Sequence, residues 1–240
     1  MLDRYDVTAR LSPLLIALLP LGLSAYLLVP KGTSGLTGFS IAGVLWVALA
    51  ALGVQFVRDA GNTIQDSLYQ VWGGAPSTQR LRLRESSNVA ETAQVHRQLE
   101  AAFPALQLGS LEDEVNDPAG SDYKYTGAIV RLRESTRDRV RFPLVFAENV
   151  SYGFRRNMLA VRPLGILLAL WGVCVSGAVW RWNPWQPREL VIIFGAMSAV
   201  LLAMWLFVIS AEWVKLAACR YCDRLLASLP DPASDQARRR

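Results

Sequence analysis

The chain has 240 residues, of which 52% are apolar and 19% are charged, and its formal net charge is +5. An average soluble domain carries about 25% charged residues, so this composition favours a membrane protein over a single soluble domain. The three cysteines, Cys174, Cys219 and Cys222, are too few for the disulfide framework of a small secreted domain.

Two charge-free runs open the chain. The first covers residues 11–30, which matches the roughly 20 residues that a helix needs to cross a bilayer. The second covers residues 36–57 and follows a short turn that contains Lys31. A cleaved signal peptide fits less well, because the first run is too long and no small-residue cleavage site follows it. The two runs predict a transmembrane hairpin over residues 1–57.

A polar insert follows, over residues 58–162. The paired glycines at 73–74 predict the end of the helix that continues from the second span. Asn88 before Glu91 is typical of a helix start. Residues 109–120 are acidic and predict a loop that ends at Asp117–Pro118, a good helix start. His96 is the single histidine of the chain, and we expect it on the surface because no catalytic or metal-binding partner is identifiable.

Five arginines crowd the stretch from residue 131 to residue 141, diluted by Glu134 and Asp138 alone. This local charge indicates either a site for a small anion or lipid headgroup, or a solvated helix face with local ion pairs. The whole insert carries fourteen Lys/Arg against thirteen Asp/Glu, which does not favour general nucleic-acid binding. The candidate anion-binding residues are Arg131, Arg133, Arg137, Arg139 and Arg141.

The last helix of the insert is predicted to begin at Phe142–Pro143, since proline is tolerated in a first helical turn. Apolar residues recur on it at every fourth position, and basic residues follow close to the third apolar run. We therefore expect this helix to couple the insert to the membrane. The candidate coupling residues are Phe146, Val150, Phe154, Arg155, Arg156 and Met158.

A second transmembrane hairpin is predicted over residues 163–214, with spans at about 163–180 and 190–211. The loop between the spans is rich in tryptophan, which is typical of a membrane interface. Small residues four positions apart predict close helix packing within or between subunits. These packing residues are Gly165, Ala169, Gly172, Ser176, Gly195, Ala199 and Ala203.

Basic residues set the predicted orientation. The two short loops hold Lys31, Arg181 and Arg188, and the other twenty-two Lys/Arg lie in the N-terminus, insert and tail. The positive-inside rule then places both termini and the insert in the cytoplasm. Residues 215–240 are predicted to form a cytosolic helix and a polar tail. Within that helix, Cys219 and Cys222 lack the further ligands of a metal site, so incidental cysteines are favoured.

Five short runs bear on the family of the chain: Trp72–Thr78, Arg137–Asp138, Phe142–Leu144, Glu148–Val150 and Tyr152–Asn157. Together they resemble a family of uncharacterised bacterial four-span membrane proteins. The resemblance covers the insert and the third span, and it implies no established activity. The layout is also similar to four-span effectors of bacterial anti-phage systems, in which a cytosolic signal triggers membrane disruption.

The predicted fold is therefore an all-α membrane protein with four transmembrane helices in two hairpins and a mostly helical cytosolic insert. The functional hypothesis is a homo-oligomeric inner-membrane effector that forms a pore or perturbs the bilayer when the insert receives a signal. The alternative is a membrane scaffold or sensor subunit that recruits a soluble partner. Expected partners are the lipid bilayer, further copies of the chain, and a cytosolic protein or small anionic signal. Neither catalytic residues nor a cofactor are expected, because no nucleophile–base pair, metal cluster or cofactor loop is visible.

Overall fold

The computed structural model of the chain describes residues 5–28, 36–183 and 185–230, and for residues 36–51 it describes the backbone alone. In these residues the regular structure is helical and contains no strand. The helices are α1 (Ser12–Leu28), α2 (Leu36–Trp72), α3 (Pro76–Gln79), α4 (Val89–Ala102), α5 (Leu111–Asn116), α6 (Pro118–Ser135), α7 (Pro143–Ala160), α8 (Arg162–Trp182), α9 (Arg188–Ala203) and α10 (Ala211–Leu226). Two π-helical segments accompany them, Asp6–Leu11 before α1 and Met204–Val208 after α9.

Three helical stretches are long and apolar enough to cross a membrane, and they indicate a membrane protein. They are Asp6–Leu28, Arg162–Trp182 and Arg188–Val208, at the places of the predicted first, third and fourth spans. The predicted second span, residues 36–57, lies within α2, but the side chains of residues 36–51 fall outside the described part of the structure. The second span, the total of four spans and the hairpin layout therefore stay predictions.

The chain divides into two compact units. The first contains residues 1–66 and 150–214, and we call it the membrane unit because it holds the three apolar stretches. The second, the polar unit, contains residues 67–149 and 215–240. The polar unit therefore contains most of the predicted insert together with the predicted cytosolic helix and tail.

In the membrane unit α8 packs against both α1 and α9. Small residues make this close approach possible: Ala169 is fully buried, and a Cβ added at Gly165 would meet the ring of Trp205. A Cβ at Gly172 would likewise lie 3.0 Å from the Cβ of Pro20. The outward faces of the same helices expose large apolar side chains, as expected where lipid surrounds a bundle. Examples are Leu167, Trp171, Ile192, Val200 and Phe207.

An arginine side chain caps the π-helical segment that follows α9. After the π-helical segment the backbone turns extended at Ile209, with φ −80° and ψ 99°. Helix ends leave carbonyl groups without an intrahelical partner. Arg162 satisfies two of them, since its Nε donates to the Trp205 carbonyl at 2.9 Å and its Nη2 to the Leu206 carbonyl at 3.1 Å.

The polar unit has a single described apolar core that draws on α4, α6 and α10. Leu225, near the end of α10, and Leu229, just after it, are buried in this core, so α10 contributes to it. The other buried members of the core are Leu81, Leu99, Leu108, Tyr125, Ala128, Ile129, Leu132 and Val145.

Local capping explains where the helices of the polar unit begin. The Asn88 side chain accepts a hydrogen bond from the Glu91 amide at 3.2 Å, which confirms the predicted start of α4. The predicted helix start at Asp117–Pro118 is confirmed, since α6 begins at Pro118, but the loop predicted before it is wrong because residues 111–116 form α5. Ser110 and Asp113 cap each other's backbone amides there, and this capping box supplies the helix start that the acidic composition concealed.

The glycine pair ends α2 as predicted. Gly73 has φ +78°, a left-handed conformation that a residue with a Cβ rarely adopts. The Gly74 amide donates to the Tyr69 carbonyl at 2.7 Å, and the Gly73 amide donates to the Gln70 carbonyl at 3.2 Å. This pattern of two bonds is a Schellman motif, so α2 stops at Trp72.

Candidate functional site

An open groove of about 820 Å³ lies in the polar unit, and α3, α4, α10 and the non-helical segment 80–88 line it. Its volume falls in the range of about 300–1,000 Å³ that is typical of ligand sites. Most of the residues that line the groove are polar or charged types. From α4 it includes Glu91, Gln94, Val95 and Gln98, and from α10 it includes Cys219, Asp223 and Leu226.

Buried side chains hold segment 80–88 in place. Leu81 and Leu83 are buried, so their backbone polar groups need protein partners. The His96 Nε2 lies 2.8 Å from the Leu81 carbonyl, and the Leu83 amide donates to the Glu114 Oε2 at 2.8 Å. The prediction of a surface position for His96 is therefore wrong: the side chain is 5% exposed because the non-helical Leu81 carbonyl needs a buried donor.

The environment of His96 determines its protonation. A carbonyl oxygen can only accept, so the Nε2 atom must carry the proton and donate it to Leu81. Burial lowers the pKa of His96, against the opposing effects of the Leu81 hydrogen bond and of Glu100 and Glu114. The ring also contacts Tyr125, with centroids 5.1 Å apart. His96 is thus a neutral structural donor near pH 7.

Arg82 binds segment 80–88 to α2 and α6. Its Nε and Nη2 donate to the two carboxylate oxygens of Asp122 at 2.9 and 2.7 Å, and Nη2 also donates to the Gly73 carbonyl at 2.8 Å. Its Nη1 donates to the carboxylate of Glu85 at 2.9 and 3.1 Å. The hydrogen bond with Asp122 raises the pKa of Arg82, although burial acts in the opposite direction. The two-pronged geometry requires the planar guanidinium group.

Glu114 is a fully buried carboxylate with three partners. Its Oε1 accepts from the Arg84 Nη1 at 2.9 Å, and its Oε2 accepts from the Tyr125 hydroxyl at 2.9 Å and from the Leu83 amide. Burial, helped by the hydrogen bond to Glu114, raises the pKa of Tyr125. A buried charge is stable only when paired in this way. Sequence reasoning missed this cluster, because Glu114 lies in the acidic run that predicted a loop.

The cysteines near the groove are not arranged for chemistry. Burial raises the pKa of Cys222 to about 12, so the group is a thiol at neutral pH, and it donates weakly to the Pro76 carbonyl at 3.8 Å. Cys219 is half-buried and lines the groove. Among the described residues, no group of three His, Cys, Asp or Glu side chains is placed to hold a metal ion.

Two glutamines of α4 leave their carboxamides unused. Gln94 is exposed and Gln98 is half-buried, and both line the groove. Within the described residues, no hydrogen bond involves either carboxamide, whereas Gln79, also on the lining, donates to the Trp72 carbonyl. Free amide groups that face a preformed groove are suited to bind a polar ligand.

The arginines predicted to bind an anion all lie on the surface, and none lines the groove. Arg137 pairs with Glu134 at 3.1 Å, while Arg139 and Arg141 stack over phenylalanine rings, with distances of 4.6 and 5.3 Å to the ring centres. Arg131 and Arg133 are two positions apart on α6, so they point about 200° apart around the helix. An anion site formed by this set stays a prediction.

The predicted coupling residues fall in both units. Phe146 belongs to the polar unit, and the other five belong to the membrane unit, where Val150 and Met158 are buried. Arg155 donates to the Trp213 carbonyl at 3.0 Å and lies 4.8 Å from the centre of that ring. Phe154 meets the same ring edge-on at 6.3 Å between centroids. The coupling role itself stays a prediction.

Polar contacts on the same part of α7 tie it to α2 and to the segment before α1. Arg156 donates to the Gln65 carboxamide oxygen. Asn157 is fully buried and donates to the Ala9 carbonyl at 2.6 Å. Asn157 was not among the predicted coupling residues. The sequence gives little indication of its burial, because a polar side chain between basic residues and an apolar span is expected to be exposed.

The predicted packing residues separate into two groups. Gly165, Ala169, Gly172 and Ser176 are buried within the membrane unit. Gly195 approaches them, since a Cβ there would lie 3.2 Å from the Cβ of Ser176. The second group, Ala199 and Ala203, is exposed on α9. Contacts between subunits at Ala199 and Ala203 stay a prediction.

No family model, no curated protein and no solved structure matches this chain. The resemblance to bacterial four-span membrane proteins therefore stays a prediction that rests on the short runs quoted above.

Proposed function

We propose that the protein is a signal-responsive membrane effector. In this proposal the polar unit receives a signal at its groove, and the membrane unit, as a homo-oligomer, opens a pore or perturbs the bilayer. One observation supports the proposal: a single chain contains both helices that are apolar enough to cross a membrane and a polar unit with a groove. The groove is lined in part by side-chain amides that form no hydrogen bond within the described residues. The proposal includes a bacterial inner-membrane location, cytoplasmic termini, a role in anti-phage defence and no enzymatic activity.

The membrane unit favours a pore between copies over a pore inside one copy. The Ser24 hydroxyl donates to the Pro20 carbonyl at 2.7 Å, and the Ser176 hydroxyl donates to the Gly172 carbonyl at 2.9 Å. Both hydroxyls are buried and bond their own helices. The exposed Ala199 and Ala203 would allow α9 to approach a neighbouring helix closely.

A membrane-potential dye in phage-challenged cells tests this proposal. We expect cells that express the chain to lose their potential on challenge, and we expect an Ala199→Leu, Ala203→Leu variant to keep it. Val200→Leu is the matched control, because it replaces one exposed large apolar side chain by another. A preserved potential in cells with the unaltered chain, at equal expression, would contradict the proposal.

The groove favours one second candidate, a membrane scaffold that recruits a soluble cytosolic partner without permeabilising the bilayer. The free carboxamides of Gln94 and Gln98 carry this alternative, because they offer hydrogen bonds that the described residues do not use. A pull-down that yields one stoichiometric cytosolic protein, together with an unchanged membrane potential, would favour the scaffold over the pore.

A further inference from the structure

We propose that the groove of the polar unit binds an extended peptide segment of another protein, four to five residues long and carrying a Lys or Arg side chain. This inference rests on the second candidate function above, since it names the chemistry of the recruited partner. Four observations support it: the length of the groove, the spacing of its free amides, its one unpaired charge and its fixed backbone.

The length of the groove sets the length of the segment. The lining residues on and just before α4 extend from Asn88 to Gln98, which corresponds to about 15 Å of helix. An extended chain rises about 3.3 Å per residue. Four to five peptide residues therefore match the length of this lining.

The spacing of Gln94 and Gln98 matches the repeat of an extended backbone. The two residues are four positions apart on α4, so they share one face and lie about 6 Å apart along the helix axis. In an extended peptide, the groups that point to one side recur every second residue, about 6.6 Å apart. Each carboxamide offers donors and an acceptor, so each can bond the N–H and C=O groups of the peptide.

The charge of the groove favours a basic side chain. Glu91 bonds to its capping partner Asn88 and forms no ion pair within the described residues. The other two lining carboxylates are each paired with an arginine, Glu85 with Arg82 at 2.9 Å and Asp223 with Arg80 at 3.1 Å. The remaining unpaired charge is therefore negative, at Glu91. Because both lining arginines are engaged, a phosphate-bearing ligand is disfavoured.

The groove is held in shape before a ligand arrives. Segment 80–88 is fixed by the bonds of His96 to the Leu81 carbonyl and of Glu114 to the Leu83 amide. Val95 and Leu226 line the groove and also pack against the apolar core. A preformed site loses less entropy on binding, which suits a short segment with few contacts.

Peptide binding to the full chain tests the inference. The chain is placed in nanodiscs of neutral phosphatidylcholine and titrated with pools of acetylated, amidated pentapeptides whose central residue is fixed as Lys, Arg, Glu or norleucine. We expect the Lys and Arg pools to bind about tenfold more tightly than the Glu pool, the size of one charge-assisted hydrogen bond. Fluorescence polarisation measures the dissociation constants.

Three variants assign the binding to the proposed contacts. Gln94→Ala combined with Gln98→Ala should weaken every pool about tenfold or more, while Glu91→Gln should remove the preference for Lys and Arg. Gln107→Ala is the matched control, because Gln107 is exposed in the same unit but does not line the groove. Equal melting temperatures of the variants would show that the fold is preserved.

Several outcomes would overturn the inference: no pool binds, the Glu pool binds most tightly, inorganic phosphate at equal concentration displaces the peptides, or the glutamine variants bind like the control. The membrane-potential assay separates this failure from failure of the proposed effector function. If no peptide binds but the potential collapses on phage challenge, the peptide inference and the scaffold fail, and the effector function stands. Peptide binding with an unchanged potential supports the inference and removes the pore.

Discussion

The two units satisfy their buried polar groups in different ways. In the membrane unit, single side chains reach backbone carbonyls, as Arg162 does at Trp205 and Gln186 does at Leu27. In the polar unit, each buried charged side chain also has an oppositely charged partner, as Glu114 has in Arg84 and Arg82 has in Asp122. The membrane unit should therefore be most sensitive to added volume between its helices, and the polar unit to the loss of one partner of a buried pair.

The largest effect is expected at Glu114. Glu114→Ala leaves the Leu83 amide and the Tyr125 hydroxyl without their acceptor and Arg84 without its buried partner. We expect the polar unit to lose roughly 3 kcal/mol of stability, measured by hydrogen exchange of α5 and α6 amides in nanodiscs. Glu112→Ala, at an exposed position of the same helix, is the control and should change little. Equal exchange in the two variants would contradict the assigned role of the cluster.

The next effect is expected in the membrane unit. Gly165→Ala adds a Cβ that meets the Trp205 ring, so we expect a loss of about 1–3 kcal/mol, measured by thermal unfolding in detergent. Gly177→Ala on the same helix is the matched control, because among the described residues only the adjacent backbone of α8 lies within 4 Å of the added Cβ. If both variants unfold at the same temperature, α8 does not pack against Trp205 as described.

A smaller effect depends on pH. Burial lowers the pKa of His96 in the folded chain. As the pH falls, His96 is therefore protonated in the unfolded chain before it is protonated in the folded chain. The polar unit should therefore lose stability as the pH falls below about 6.5, the ordinary pKa of histidine. His96→Gln keeps a donor for the Leu81 carbonyl but does not titrate, so its stability should vary less between pH 7.5 and 5.5. Parallel pH profiles of exchange in α4 would refute this assignment.

The smallest effect is expected at the exposed arginines. Arg141→Ala removes a stacking contact with the Phe142 ring, which is worth about 0.5 kcal/mol at an exposed site. The melting temperature should therefore fall by little. A large loss would show that the arginine cluster stabilises the fold, in conflict with its exposure.

Much of the helical layout is predictable from sequence because its signals are local. A long apolar run identifies a span whatever it packs against, and Asn88 caps α4 through a residue three positions away. Gly73 ends α2 through its own backbone conformation. Such signals need no knowledge of distant contacts.

The buried cluster of the polar unit is not predictable in this way, since its partners are far apart in sequence. Arg82 meets Asp122 forty positions later, and Leu83 meets Glu114 thirty-one positions later. Taken singly, these residues look like ordinary solvated charges. The same reason explains the error at His96, whose acceptor belongs to a non-helical segment. The groove itself forms where α4 and the tail helix share a core, a contact with no local signature.

All three guanidinium nitrogens of Arg82 donate hydrogen bonds, in five acceptor contacts with Asp122, Glu85 and Gly73. A lysine offers three donors on a flexible stem and cannot reproduce this set. Lysine therefore cannot replace arginine at position 82 without loss of these hydrogen bonds. Although Arg82 lines the groove, its nitrogens are already bonded within the protein. Selectivity for a ligand therefore has to come from other lining residues, which can change without disturbing segment 80–88.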